Sequence, residues 1–463
     1  MSRKTQTMTV DHPDVILAQS ARVPVNGEIV PPGDKSISHR ALILATLAEG
    51  DSRITGLLSA RDVDATAQAC RQLGATIEQN GRECLVTGLG LDGLSGSDEP
   101  LDMGNSGTAM RLLAGVLAAQ SFDSTLTGDE SLQKRPMSRI AVPLREMGAK
   151  IVTMDNGCAP ITIRGGRKLR GISYKSPVAS AQVKSCVLLA GLYASGSTSV
   201  IEPSVSRDHT ERMLRAFGAN EISEASVSGG ARLSAVDLEV PADISSAAFY
   251  MAAACLVPDS QLLISNTGLN PTRAGLVSAL QKMGCDIRIT GKRTYGEEPV
   301  GDIEVHWNES IHAIELGARD VPAIIDELPI LMVVASMAKG VTRIRGAQEL
   351  RFKESDRIAV MASGLAACGI RVQEHADGID IEGQPGQKGK GVNSTPDNHS
   401  EPVIVDGAGD HRCAMSFCVL AQALGRPVQV HGSAHIDTSF PSFIEDFSSL
   451  GATLRRQSET VNV

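Results

Sequence analysis

The sequence predicts an α/β protein assembled from six βαβ-like units, and three observations carry that prediction. A short marker recurs, an apolar residue, a glycine, then a small or apolar residue: Leu73-Gly74-Ala75, Met147-Gly148-Ala149, Phe217-Gly218-Ala219, Met283-Gly284-Cys285, Cys368-Gly369-Ile370 and Leu450-Gly451-Ala452. The marker glycines lie 74, 70, 66, 85 and 82 residues apart. Upstream of each stands a strongly apolar stretch that reads as a buried helix, and β-rich text ("KIVTM", "DIRIT", "IRVQE") follows most of them. A glycine there is a helix terminator, because position C′ takes a left-handed conformation that costs glycine little. Order and spacing recur together, and alternating helix and strand text builds an α/β fold.

The units follow in chain order. The first opens with the apolar helix "RALILATLA" and ends at Gly74. In the second, "TAMRLLAGVLAA" precedes the strand "STLTG" and the amphipathic helix "MSRIAVPLREMGA". The third repeats this with "VKSCVLLAGLYA", "TSVIEP" and "HTERMLRAFGA". "AAFYMAAACLV" opens the fourth, "LPILMVVASMA" and the strand "VTRIRG" the fifth, and "CAMSFCVLAQAL" and "PVQVHG" the sixth. The stretch "GQPGQKGKGVNSTPDNHSE" at 383–401 is expected to form an exposed loop.

Of the 463 residues 42% are hydrophobic but only 3% aromatic, with 45 glycines, so the core is expected to be aliphatic and closely packed. No apolar run approaches the ~20 residues that span a bilayer, and the N-terminus lacks the apolar stretch of a signal peptide. The nine cysteines form an odd, scattered set without a C-x-x-C pair, which fits a reducing compartment and a cytoplasmic protein. A net charge of −9 and few aromatics argue against a nucleic-acid partner. The ten histidines show no metal-ligand spacing, and His431 and His435, at a strand end, are read as structural.

The informative departure from this ordinary profile is where the basic residues sit. In "PPGDKSISHR" Lys35, Ser36 and Arg40 open the first helix; the segment fails as a nucleotide-binding P-loop because Asp34 stands where its last glycine belongs. "GNSGTAMR" (104–111), "KRPMSR" (134–139), "SAQVK" (180–184), "SRDHTER" (206–212), "KESDR" (353–357) and "DHRCAMS" (410–416) likewise place cations at helix starts. A cation there opposes the helix dipole at a cost of about 0.3–1 kcal/mol when exposed. Several, each beside Ser, Thr, Asn or Gly, point to anions bound among free N–H groups and guanidinium forks. The plainer alternative is solvated surface charge, with Asp34, Asp208 and Glu354 as N-caps. Ser36 and Arg40 are spaced i, i+4, as are Lys353 and Arg357, and each pair is expected to share a helix face. Asp326, before "ELPILMVVASMA", reads from the residues alone as an N-cap with Pro329 in the first turn.

Seven motifs in order, "PPGDKSISHRALILATLAEG", "GNSGTAMRLLAG", "KRPM", "VASAQVKS", "RDHTERML", "ESDRIAVMASGL" and "GDHRCAMSF", resemble the 5-enolpyruvylshikimate-3-phosphate (EPSP) synthases, or 3-phosphoshikimate 1-carboxyvinyltransferases. The resemblance runs from about residue 25 to 455; "SRDHTERM", "PTRAG", "IIDELPIL" and "TSFP" are similar to the class II branch. It implies the two-domain enolpyruvyl transferase fold, with three βαβαββ units per domain and the active site in the cleft between them. It also implies that residues 1–33 and 243–463 form one domain and 34–242 the other. The implied reaction transfers the enolpyruvyl group of phosphoenolpyruvate (PEP) to the 5-hydroxyl of shikimate 3-phosphate and releases phosphate, with no cofactor or metal, in a monomer of the shikimate pathway. By the same resemblance Lys35 touches both substrates. Ser36, Arg40, Ser180, Ala181, Gln182 and Arg207 hold shikimate 3-phosphate. Asn105, Gly107, Arg135, Lys353, Arg357 and Arg412 meet PEP. Asp326 takes the hydroxyl proton, and Glu354, with Lys35, handles protonation at the PEP methylene.

Two positions bear on variation within the family. Thr438 replaces the lysine that the enteric branch carries before "TFP", so one PEP-side cation is absent there. Gly107 stands where glyphosate-tolerant members carry alanine, and the resemblance implies that glyphosate competes with PEP here. The sister transferase that acts on UDP-N-acetylglucosamine resembles this chain less: its K-N-A motif and loop cysteine are missing from "DKSIS" and "TLTGDESLQKRPMSR".

Overall fold

The structure is a computed structural model that describes residues 14–19, 23–219, 222–384 and 401–457. Most of the loop expected at 383–401 lies outside the described residues.

Among the described residues twelve α-helices fall into six pairs: α1 (Lys35–Leu47) and α2 (Arg61–Gln72); α3 (Gly107–Leu117) and α4 (Ser138–Glu146); α5 (Ala181–Gly191) and α6 (His209–Ala216); α7 (Ile244–Leu256) and α8 (Gly275–Lys282); α9 (Leu328–Ser336) and α10 (Arg357–Ala367); α11 (His411–Leu424) and α12 (Phe443–Ser449). Six small sheets accompany them among the described residues. In five the ladder repeats: a first strand runs parallel to the second, which pairs antiparallel with a third, and that with a fourth, as in Leu101–Asp102, Ser124–Thr127, Ile161–Arg164 and Lys150–Val152. The third unit stops at three strands, Ser173–Lys175, Ser197–Ile201 and Ser226–Ser228.

The repeat is closed out of sequence order. Asn26–Ile29 pairs parallel with Gln261–Gly268 of the fourth unit, while Val15–Gln19 enters the sixth unit's sheet. Leu238–Glu239 runs back to pair parallel with Glu49–Thr55 of the first unit. Two separate buried clusters result. One is built from residues 37–240; the other joins Ile16, Ala18 and Val25 to residues 244–454.

Each second helix ends at its marker as the sequence reading expects. All six marker glycines have positive φ, between 79° and 107°. Each ends a Schellman motif: Ala75 N–H donates to Cys70 O and Gly74 N–H to Arg71 O, and the pattern repeats through Gly451 and Ala452.

The first helix of each pair is buried almost all round. In α7 and α9 every residue is buried. In α1, α3, α5 and α11 the exceptions are few and placed alike: Lys35 and Ser36, Thr108 and Arg111, Ala181 and Gln182, and Arg412, all in the first turns. The inner helices pack on one another, α1 on α3 and α3 on α5 in one cluster, and α7, α9 and α11 mutually in the other. Small residues permit this: a Cβ on Gly115 of α3 would stand 2.2 Å from the Cys186 carbonyl oxygen of α5. The aliphatic composition thus becomes close helix packing, with polar helix starts directed into the gap between the clusters.

Candidate active site

That gap is a cleft of about 500 Å³. Every site residue named from the sequence lines it: Lys35, Ser36, Arg40, Asn105, Gly107, Arg135, Ser180, Ala181, Gln182 and Arg207 from the first cluster's side, and Asp326, Lys353, Glu354, Arg357 and Arg412 from the other. Ten lysines and arginines face five aspartates and glutamates across the lining, an excess of five positive charges.

Helix caps place the first group. Asp34 accepts the Ile37 N–H at the start of α1, Ser106 that of Ala109 at α3, and Ser180 that of Val183 at α5. The expected i, i+4 pair on α1 forms: Arg40 Nη1 donates to the Ser36 carbonyl (2.8 Å), while its Nε and Nη2 reach Thr210 and Ser185 (2.7 Å each). Lys35 Nζ donates to Asp62 Oδ2 at 2.7 Å. Arg135 donates to Asn105 Oδ1 (2.6 Å), and Arg111 to Gln182 Oε1 (2.6 Å).

The other wall is organised around two carboxylates. Asp326 Oδ1 accepts from Lys353 Nζ (3.1 Å) and Arg357 Nη1 (3.2 Å), its Oδ2 accepts from Arg207, and its backbone carbonyl accepts from Arg412 (3.1 Å). Burial alone would raise the Asp326 carboxyl's pKa. Lys353, Arg207, Arg412 and Arg357 outweigh that and hold it well below its usual range. Glu354 accepts from Arg357 Nη2 (2.5 Å) and lies 3.6 Å from Arg135. Burial is again outweighed, by Arg357 first and then Arg135 and Lys353, so this carboxyl is also held low. Arg207–Asp326, Arg135–Glu354 and Arg139–Glu349 (2.8 Å) therefore tie one side of the cleft to the other.

Several sequence readings change. Lys353 and Arg357 share no helix face, because α10 begins at Arg357 and Lys353 ends the preceding 3₁₀ turn; they meet instead on Asp326. Glu354 caps nothing, because Asp356 caps α10; Asp208 does hold the N-cap position of α6, although its side chain makes no cap bond there. Asp326 is not a cap either, since Glu327 holds the N-cap position of α9. Of the cations quoted at helix starts, Lys184 is only 3% exposed and paired with Glu202 (3.1 Å) and Glu211 (2.9 Å), and Arg212 is turned to Asp208. Thr438 donates to the His435 carbonyl, outside the lining.

The lining also holds residues beyond those named from the sequence. Arg111, Arg139, His411 and Arg273 (in "PTRAG") lie inside quoted motifs without being singled out; Asp62, Asp243 and Glu349 carry no signal, since only long-range folding brings them in. Burial, then Lys35 and Arg412, keep the His411 imidazole well below its usual pKa, so it faces the cleft neutral.

Comparison with known proteins gives the family of the chain. The sequence profile of EPSP synthase (3-phosphoshikimate 1-carboxyvinyltransferase) matches residues 20–447. A 3-phosphoshikimate 1-carboxyvinyltransferase from Methylococcus capsulatus is 47% identical over 443 residues, covering 95% of this chain and 98% of that protein. A solved EPSP synthase from Acinetobacter baumannii superposes with a TM-score of 0.84 at 44% identity, covering 95% of this chain and 99% of the other. An enolpyruvyl transferase from Streptomyces tendae shares the fold at a TM-score of 0.76, with 18% identity over 96% of this chain and 99% of its own. The profile match over most of the chain, and a relative nearly half identical along its whole length, establish that this chain belongs to the EPSP synthase family.

Proposed function

We propose that the protein transfers the enolpyruvyl group of PEP to the 5-hydroxyl of shikimate 3-phosphate, releasing inorganic phosphate. The single observation that carries the reading is the convergence of ten cationic side chains and several helix starts, from two separate cores, on one cleft. The two substrates bring two phosphates and two carboxylates, which such a lining neutralises.

Shikimate 3-phosphate sits against Ser36, Arg40, Ser180, Ala181, Gln182 and Arg207, with the first-turn N–H groups of α5 directed at its phosphate. PEP sits among Asn105, Gly107, Arg135, Lys353, Arg357 and Arg412, and Lys35 touches both. We assign residues 34–242 to one domain and 1–33 with 243–463 to the other; the spans of the two buried clusters support this division.

The internal ion pairs explain how ionised carboxylates become proton carriers. Substrate anions compete for Lys353, Arg207 and Arg357, and as those cations turn to the ligand, the Asp326 carboxylate loses the partners that hold its pKa down. It then takes the proton of the attacking hydroxyl, whose oxygen bonds to PEP C2. Glu354, relieved of Arg357 and Arg135 in the same way, handles with Lys35 the proton gained at C3. Breaking the C2–O bond to phosphate and losing a proton from C3 restore the double bond. Fixed charges that remain stabilise the tetrahedral intermediate.

The test is phosphate release from purified protein given both substrates, with each alone as control, and Asp326→Asn alongside. Release only with both, reduced by about 10²–10⁴-fold in the variant, is the expected result. No release with both from folded protein overturns the reading.

A further inference from the structure

The chain crosses between its two cores twice, and the crossings are laced together. Asp34 N–H donates to the Pro241 carbonyl and Asp243 N–H to that of Pro32, both at 2.8 Å, with Gly33 paired antiparallel to Ala242. Gly33 fits because it lacks a side chain: a Cβ there would stand 2.0 Å from the Gly56 carbonyl oxygen. Each crossing ends in a capping carboxylate. Asp34 caps α1, which carries Lys35, Ser36 and Arg40, and Asp243 caps α7.

One side chain holds both caps. Arg273, 3% exposed, donates from Nη1 to Asp34 Oδ2 (3.2 Å), and from Nη2 to Asp243 Oδ1 (3.1 Å) and Ser245 Oγ (2.6 Å). It stands on a turn before α8 in which its own N–H donates to the Asn270 carbonyl at 2.8 Å. Asn270 Nδ2 reaches Asp208 Oδ1 (2.7 Å) and Glu298 Oε2 (3.0 Å), and His209 Nδ1 lies 2.7 Å from the other oxygen of Glu298. A single turn of the 244–454 core thus grips the residue just before Lys35 and the residue just after Arg207.

Burying a guanidinium costs several kcal/mol, and a well-packed apolar replacement is often as stable, so stability alone is a weak reason for this arrangement. A planar fork does set direction, holding two carboxylates at once. We propose that Asn270 and Arg273 are positioning residues: from one core they fix the starts of α1 and α6 on the other, and so place Lys35 and Arg207 in the cleft. The kinetic part of this inference rests on the reaction proposed above; the structural part does not.

The test uses the full-length protein with Arg273→Gln, Arg273→Lys and Asn270→Ala. Hydrogen exchange without ligand is read over residues 33–40 and 206–212, together with melting temperature and steady-state kinetics. The expected result is faster exchange at 33–40 in Arg273→Gln and at 206–212 in Asn270→Ala. Each should also lose kcat/KM by about tenfold or more, chiefly through KM for shikimate 3-phosphate, with partial recovery in Arg273→Lys. Exchange raised evenly along the chain with kcat and KM unchanged would make the turn a purely structural contact and overturn the proposal, as would unchanged exchange in both segments. If the parent protein releases no phosphate, the reaction reading fails while the exchange data still judge the turn.

Discussion

At Gly107 the space left by a missing side chain is already shared. A Cβ there would stand 2.7 Å from Arg111 Nη1 and 3.4 Å from Arg135 Nη1. Both atoms are the ends of flexible side chains, so Gly107→Ala folds but displaces guanidinium groups that hold Gln182 and Asn105. The expectation that glyphosate competes with PEP here predicts that the variant raises the glyphosate inhibition constant by about tenfold or more and the KM for PEP by less. Equal increases in the two, measured at several PEP concentrations, would show that the position does not separate them. At this scale the sequence exposed residue types and their places at helix starts, but not their partners. Lys184 and Lys35 read alike in the text. Both meet carboxylates from other segments, but Glu202 and Glu211 enclose a Lys184 that is 3% exposed, while Lys35 meets Asp62 alone and stays 22% exposed at the cleft.

Among the elements, the inner helices depend on contact distance. Gly115→Ala sets a methyl 2.2 Å from a backbone carbonyl that cannot turn away, so α3 and α5 must separate. The expected loss is about 1–3 kcal/mol by chemical denaturation, with weaker binding of shikimate 3-phosphate, because the Arg111–Gln182 contact joins the starts of these two helices. Gly317→Ala is the control: nothing lies within 4 Å of its Cβ, and its stability should stay within about 0.5 kcal/mol of the parent. The elements were highly legible because each unit announces itself locally, by an apolar helix and then a glycine at C′. What was not legible is how units are shared. Strands Asn26–Ile29 and Leu238–Glu239 complete sheets more than 180 residues away, and no local pattern records such a partner.

For the whole molecule, the two chain crossings carry a pair of coupled carboxyls. Burial, then the charge of Asp34, raises the Asp243 pKa to about 6 against the pull of Arg273 and Arg412; Asp34 is lowered to about 2, its own burial outweighed by Arg273, His209 and Arg207. A carboxyl whose folded pKa is raised binds its proton more tightly in the native state, so its share of stability falls as pH rises from about 4 to 6. Asp243→Asn should remove that dependence, giving a flatter stability profile across this interval in denaturant titrations. A profile as steep as the parent's would assign the slope to other groups.

The cleft's positive lining has a consequence for the speed of encounter. The chain as a whole carries −9, so its substrates, also anions, approach a body that repels them and feel attraction only near the opening. Screening acts first on the long-range part, over about 30 Å at 0.01 M salt and about 10 Å at 0.1 M. Added salt should therefore first speed capture by muting the outer repulsion, and slow it only when ions begin to compete inside. The dependence of kcat/KM on ionic strength is then expected to pass through a maximum; a steady decline from the lowest salt would mean that the cleft's field already dominates at a distance.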